Sequence, residues 1–339
     1  MLSRAFVKSK RSPQTGHESS LRLSSSIMEY EDLIFGFMED IPLISFDEYN
    51  HDNYNCNNIK SMTSSESTQL TLRQVLRASV GVMGESPLGM TEKVVLLGGK
   101  ICAVKRFRRV GIGRREFGRR IEKVAQIGNQ CEYLVGVTAY LYAKRIKFVV
   151  CEYYPMGSLA DLLSGAREQG HTALEWKHRF KIIQCIAKAI AFIHSQNPPR
   201  YKHLRLNVHG NIKSSNIMVN IDFSAQLSDY GFVQLAMFDD TGLAELLVPP
   251  LPEREYTKTV SQEDDIYNFG VVLMDILGWP EMKRSDSFEF SVEREEEEDV
   301  FKVLRMALSC RNSLPEERPT IEQILSCLGE TVLKCVSVK

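Results

Sequence analysis

The pattern of apolar and polar positions along the 339 residues changes character near residue 70. Before it, apolar residues are scattered, Ser24-Ser25-Ser26 and Ser64-Ser65 cluster, and Ser, Asn and Asp are frequent. Such a composition buries too little apolar surface to offset the entropy of ordering, which predicts a largely disordered Ser/Asn-rich tail over 1–68. One stretch departs from it: Leu33-Ile34-Phe35-Gly36-Phe37-Met38, then Ile41-Pro42-Leu43-Ile44. It reads as a segment that docks on a partner or on the chain's own surface, or, more plainly, as a short collapsed patch. From residue 69 to 335 the pattern is that of a folded domain. Leu70 to Ser79 has helical spacing, and Val80 to Met83 leads into a glycine-bearing turn. Phe117, Ile121, Val124 and Gly128 stand at i, i+4, i+7 and i+11, one face of a helix. Phe148 to Cys151 reads as a buried strand that ends in a connector over 151–157. The acidic run Glu293 to Asp299 predicts an acid-rich first turn of a helix that starts near Val300.

Composition adds limits more than directions. Hydrophobic content of 43% and charged content of 25% are ordinary for a globular chain, and a formal net charge of -1 gives no argument for nucleic acid. No apolar run approaches the roughly 20 residues that span a bilayer. The eight cysteines form no C-x-x-C pair and sit mostly in apolar segments, as small buried thiols of a reduced compartment do. The opening Met1 to Arg11 is basic and acid-free, a feature of organellar transit peptides, but its continuation lacks clear amphipathic period, so the cytoplasm is the expected compartment. The run from Arg106 to Arg120 is strongly basic. It reads as a solvated helix face, as a reader of acidic partners, or as a peripheral contact with an anionic plasma membrane.

The chemistry lies in Val208-His209-Gly210-Asn211-Ile212-Lys213-Ser214-Ser215-Asn216, followed by Leu227-Ser228-Asp229-Tyr230-Gly231. The order resembles the catalytic loop and metal-binding turn of protein kinases, H-R-D-L-x-x-x-N and then D-F-G. Ala139-Tyr140-Leu141-Tyr142, the Cys151 to Leu159 connector, Leu174-Glu175-Trp176 and the helix ending in Ala191-Phe192-Ile193-His194 narrow the likeness. Together these stretches resemble the plant leucine-rich-repeat receptor-like kinases, in particular their inactive subgroup. The resemblance implies an α+β, bilobal protein-kinase-like fold. A small β-rich N-lobe with one regulatory helix would cover about 69–150, a hinge 151–157, and a larger, mainly helical C-lobe 158–335.

It also assigns residues. Gly84 and Gly89 would bound a phosphate-covering turn, Lys105 would pair phosphates and Glu122, and Glu152 and Tyr154 would form the hinge behind Cys151. Asn216 and Asp229 would hold Mg or Mn with ATP. Glu253 and Arg318 would form a buried ion pair, and Asp265 would hold the catalytic-loop backbone. Several of these positions are altered. Asn211 stands where the proton acceptor belongs, and an amide has no basic site near neutral pH. Ser86-Pro87 and Glu85 weaken the phosphate turn, Gly210 removes the cation that would meet a phosphorylated loop, and the segment from Phe232 to Leu251 offers only Thr241 as a hydroxyl. The resemblance therefore implies a catalytically inactive pseudokinase that serves as a signalling scaffold or regulator of an active kinase or receptor and binds ATP weakly. The alternative is a weakly active serine/threonine kinase in which water or Lys213 compensates for Asn211.

Overall fold

The strands that precede residue 152 form one antiparallel sheet in the computed structural model, which describes residues 41–46, 70–169, 174–197, 204–236, 261–278 and 292–329. They are β1 (Ile44–Ser45), β2 (Ser79–Ser86), β3 (Gly89–Val95), β4 (Ile101–Phe107), β5 (Val137–Tyr142) and β6 (Lys147–Cys151). Their order across the sheet is β1–β5–β6–β4–β3–β2. Because side chains alternate along a strand, the sheet can be apolar on both faces. One face packs Val94, Val104, Leu141, Phe148 and Val150 under α1 (Leu72–Arg77). The other packs Val137, Tyr140 and Val149 against Phe117, Ile121 and Val124 of α2 (Arg114–Gly128), the apolar face read from the sequence. A capping box between Thr71 and Gln74 starts α1.

Residues 41–46, expected inside the tail, belong to this folded unit. Ile44 and Ser45 pair with Tyr140 and Ala139 of β5. Leu43 is fully buried, its N–H donates to Leu70 O at 2.8 Å, and Leu72 N donates to Ile41 O at 2.8 Å. The segment docks on the chain's own sheet, and the boundary expected at 68 gives way to a folded unit that includes a stretch from residue 41. The rest of the expected tail lies outside the described residues.

Beyond β6 the chain is mainly helical, with α3 (Leu159–Gln169), α4 (Trp176–His194), the hairpin β7 (Ile217–Val219) and β8 (Ala225–Leu227), and the short α5 (Val233–Ala236). It ends in α6 (Gln262–Ile276), α7 (Glu297–Cys310) and α8 (Ile321–Cys327). Trp176, Ile182, Ile183, Ile186, Ile190 and Ile193 of α4 are buried, and each aliphatic side chain so placed contributes about 1.5–3 kcal/mol. The acidic residues Glu297, Glu298 and Asp299 fill the first turn of α7, which begins three residues before Val300. The described cysteines are free thiols.

Candidate functional site

Between the sheet and the helical part lies a cavity of about 240 Å³. Gly84, Lys105, Glu152, Tyr154, Asn216 and Asp229, all singled out in the sequence, line it together with Cys151. β4 carries Lys105 into this space, and the end of β6 carries Cys151 and Glu152. The turn after β8 supplies Asp229, whose φ of 64° lies in the left-handed region that non-glycine residues rarely adopt and that recurs at functional sites. Gly231 follows with φ 73°, and a Cβ there would meet Val124 Cγ2 at 2.7 Å, so only glycine lets this turn pack on α2.

Lys105 Nζ bonds Asp229 Oδ2 at 2.9 Å, with side chains only 8% and 10% exposed. The pairing of Lys105 with Glu122 read from the sequence is not what forms. Glu122 lies on the exposed side of α2 and accepts a hydrogen bond from Tyr140 Oη at 3.1 Å. The charged residue on the inward face is Arg120, 3% exposed. Its Nη1 donates to Gln234 O at 2.8 Å and its Nε to Glu116 Oε1 at 2.6 Å. Gln234 in turn accepts from Arg205 N at 2.6 Å and donates from Nε2 to Arg205 O at 2.8 Å. A chain of bonds thus ties α2 through α5 to the segment that leads into the loop at 208–216. The apolar spacing already held the signal: position 120 is i+3 from Phe117 and i-4 from Val124, on the same face. Its charge masks that signal, since an arginine on a helix is mostly solvent-exposed.

The loop is held from below. Asp265, fully buried on α6, accepts from His209 N at 2.7 Å and Gly210 N at 2.8 Å, and His194 Nε2 lies 3.1 Å from its Oδ2. Asn216 Nδ2 donates to Asn211 O at 2.8 Å, and Ser228 N donates to Asn216 O at 2.8 Å, which joins the loop to the turn at 229. His209 Nε2 lies 2.9 Å from Ser228 O, and its burial holds the imidazole pKa below the ordinary value against the pull of Asp265. Burial likewise lowers the Lys213 ammonium, with Asp229 opposing. Asn211 is 3% exposed and brings an amide, without a basic site, to this buried place.

Gly89 does not line the cavity. A Cβ there would meet Arg106 O at 1.8 Å, so the glycine allows β3 to approach β4 closely. Ser86 Oγ donates to Gly89 O at 3.2 Å within the turn, and Glu85 pairs with Arg108. The basic run does not form one exposed face: Lys105 and Arg120 are buried, Arg106 pairs with Glu92, and Arg119 with Glu116. Arg318, 6% exposed, donates to Glu263 O at 3.0 Å and Asn312 O at 2.9 Å and stacks on Tyr267; Glu253 and Thr241 lie outside the described residues. Among the described residues no helix is long and apolar enough to cross a membrane.

Comparison with known proteins places this geometry. A family model, protein tyrosine and serine/threonine kinase, matches residues 89–328. The probable inactive receptor kinase RLK902 of Arabidopsis thaliana is 32% identical over 287 residues, which cover 76% of this chain and 43% of that one. The probable inactive receptor kinase At4g23740 of the same plant is 33% identical, over 75% of this chain and 42% of that one. The chain thus spans less than half the length of the curated relatives it matches. Among solved structures, the pseudokinase domain of BIR2, an immune regulator of the RLK/Pelle family, superposes with a TM-score of 0.63 at 25% identity, over 79% of this chain and 88% of that one. The kinase domain of maize SIRK1, bound to AMP-PNP, superposes with a TM-score of 0.64 at 24% identity, over 78% and 96%. The chain belongs to the protein tyrosine and serine/threonine kinase family, in the branch of plant leucine-rich-repeat receptor-like kinases that includes inactive receptor kinases.

Proposed function

We propose that this domain works without phosphoryl transfer, as a scaffold or regulator that presents its surface to an active protein kinase or receptor-like kinase. The observation that carries this reading is the buried amide of Asn211 at the position where an attacking hydroxyl must give up its proton. General-base help is worth typically about 10² to 10⁴ in rate, and an amide supplies none. The pairing of Lys105 supports the same reading. Transfer needs the strand lysine paired with a carboxylate of the regulatory helix and the turn aspartate on the metal, whereas here Lys105 is bound to Asp229 itself.

The residues that line the cavity support retained nucleotide binding. Lys105 would take phosphate oxygens, Asn216 and Asp229 would hold Mg or Mn, and Glu152 to Tyr154 would border the base. Glu85 near the turn and the Lys105–Asp229 pair both weaken the grip on phosphate. The AMP-PNP of the maize neighbour belongs to the same fold. On this reading the domain works in the cytoplasm beside the plasma membrane, a compartment that its likeness to receptor kinases supports.

A thermal-shift titration of the chain with ATP, with and without Mg²⁺ or Mn²⁺, tests nucleotide retention. A ligand at 100 times its dissociation constant adds about 2.7 kcal/mol to the folded state. A shift identifies a nucleotide-responsive scaffold, and the lack of one leaves a scaffold with an empty cleft. The competing reading, a weakly active serine/threonine kinase, draws on the lowered pKa of Lys213 as a substitute base.

A further inference from the structure

A second concavity, of about 700 Å³, runs along the outer side of α2. One wall is the stripe Arg114, Arg115, Arg119 and Glu122; the other is Ile41, Pro42 and Ile44 with the Tyr140 to Ala143 end of β5. That second wall is largely apolar, and Ile44 is 44% exposed there. The groove's rim at the start of α2 is cationic. Arg114 and Arg115 are exposed, and the N-cap, Gly113, offers no side-chain acceptor to the first-turn N–H groups. That end of the helix already carries the positive end of the dipole, and two arginines add to it. Glu116, the one acid in the first turn, is engaged by Arg119 and Arg120, which hold its carboxyl below the usual range. Such a groove fits an apolar segment flanked by carboxylates.

The chain brings such a segment to the groove's edge. Ile41 and Pro42 line the groove, and the residues just before them read Glu29-Tyr30-Glu31-Asp32-Leu33-Ile34-Phe35-Gly36-Phe37-Met38-Glu39-Asp40. Apolar residues at 33–38 are flanked by acids on both sides, with no lysine or arginine between 29 and 40. A tether of zero residues gives an effective concentration in the millimolar range or above, so modest contacts suffice. Twelve extended residues reach about 40 Å, and α2 is about 22 Å long, so the segment can run its whole length.

We propose that residues 29–40 dock in this groove, with the Leu33 to Met38 run on the apolar wall formed by Ile44 and the end of β5. The acidic flanks then face Arg114, Arg115 and the open start of α2.

Photo-cross-linking in the full chain tests this, with Phe37→p-benzoylphenylalanine and mass-spectrometric mapping. The expected product is a cross-link within one chain to residues 114–122 or 140–143. It should be lost in Arg114→Glu/Arg115→Glu and return when Glu39→Arg/Asp40→Arg is added, while an unchanged thermal melt shows that each variant folds. Cross-links between two chains would give the groove to a second copy and overturn the proposal. A cross-link that maps elsewhere, or one unmoved by the charge reversals, would overturn it too. No cross-link, together with Arg114- and Arg115-dependent sedimentation on phosphatidylserine vesicles, would give the face to a membrane instead, and no cross-link without sedimentation would leave the groove uncovered; both contradict it.

Discussion

At the scale of single residues, the proposal rests on Asn211 and Asp229 in the loop and turn, and the packing of α2 rests on Arg120. Asn211 was legible because the loop motif fixes its neighbours on both sides. Arg120 was not, because a buried arginine reads as a surface charge until its bonds to Gln234 O and Glu116 are seen. Arg120→Met removes the donor and leaves a buried carbonyl unsatisfied. It should lower the unfolding free energy by about 1–3 kcal/mol in a denaturant titration, and an unchanged midpoint would remove Arg120 from the account. His209 gives a pH signature. Burial holds its folded pKa below the ordinary value of about 6.5, so as pH falls the unfolded imidazole takes up a proton that the folded one refuses. Its contribution is therefore fully present above about pH 6.5 and is lost below, at no more than about 1.4 kcal/mol per pH unit. Denaturant midpoints compared between about pH 7.5 and about pH 5.5 should fall less in His209→Phe than in the parent chain.

At the scale of elements, long periodic stretches declared themselves and short ones did not. The α2 face was visible as Phe117, Ile121 and Val124 because a helix repeats its signal over several turns. β1 has two residues, sits in Ser/Asn-rich sequence, and pairs with a strand that begins at Val137, so no local pattern announces it. Its anchor, Leu43, is buried as fully as any core residue. Leu43→Ala should cost about 2–5 kcal/mol, the range for a large-to-small change in a packed core. A cost near zero, read from thermal or denaturant melts, would mean that the segment does not belong to the fold. The loop at 208–216 depends on α6 in the same way. Asp265→Ala orphans the His209 and Gly210 N–H groups, each worth about 1–3 kcal/mol when buried without a partner, and should destabilise the chain well beyond a surface change.

At the scale of the whole molecule, the sheet and the helical part are joined without the ion pair that active members of this fold use. The Lys105–Asp229 bond spans the cleft, and the Arg120–Gln234–Arg205 series fastens α2 to the far side of it. The fold was legible as a whole because scaffold positions such as Asp265 and Arg318 keep the kinase order. What the linear chain hid was which partner each charge takes, since that depends on side chains brought together from distant elements. The retained scaffold and altered centre predict a domain that holds its shape and does no transfer. The measurement closest to that claim is incubation of the purified chain with radiolabelled ATP and Mg²⁺ or Mn²⁺, alone and with a generic protein substrate, beside Lys105→Met. The account predicts no label on either protein above the Lys105→Met background. Label transfer that the parent chain performs and Lys105→Met abolishes would contradict it, and would make Asn211 a tolerated residue in a working kinase.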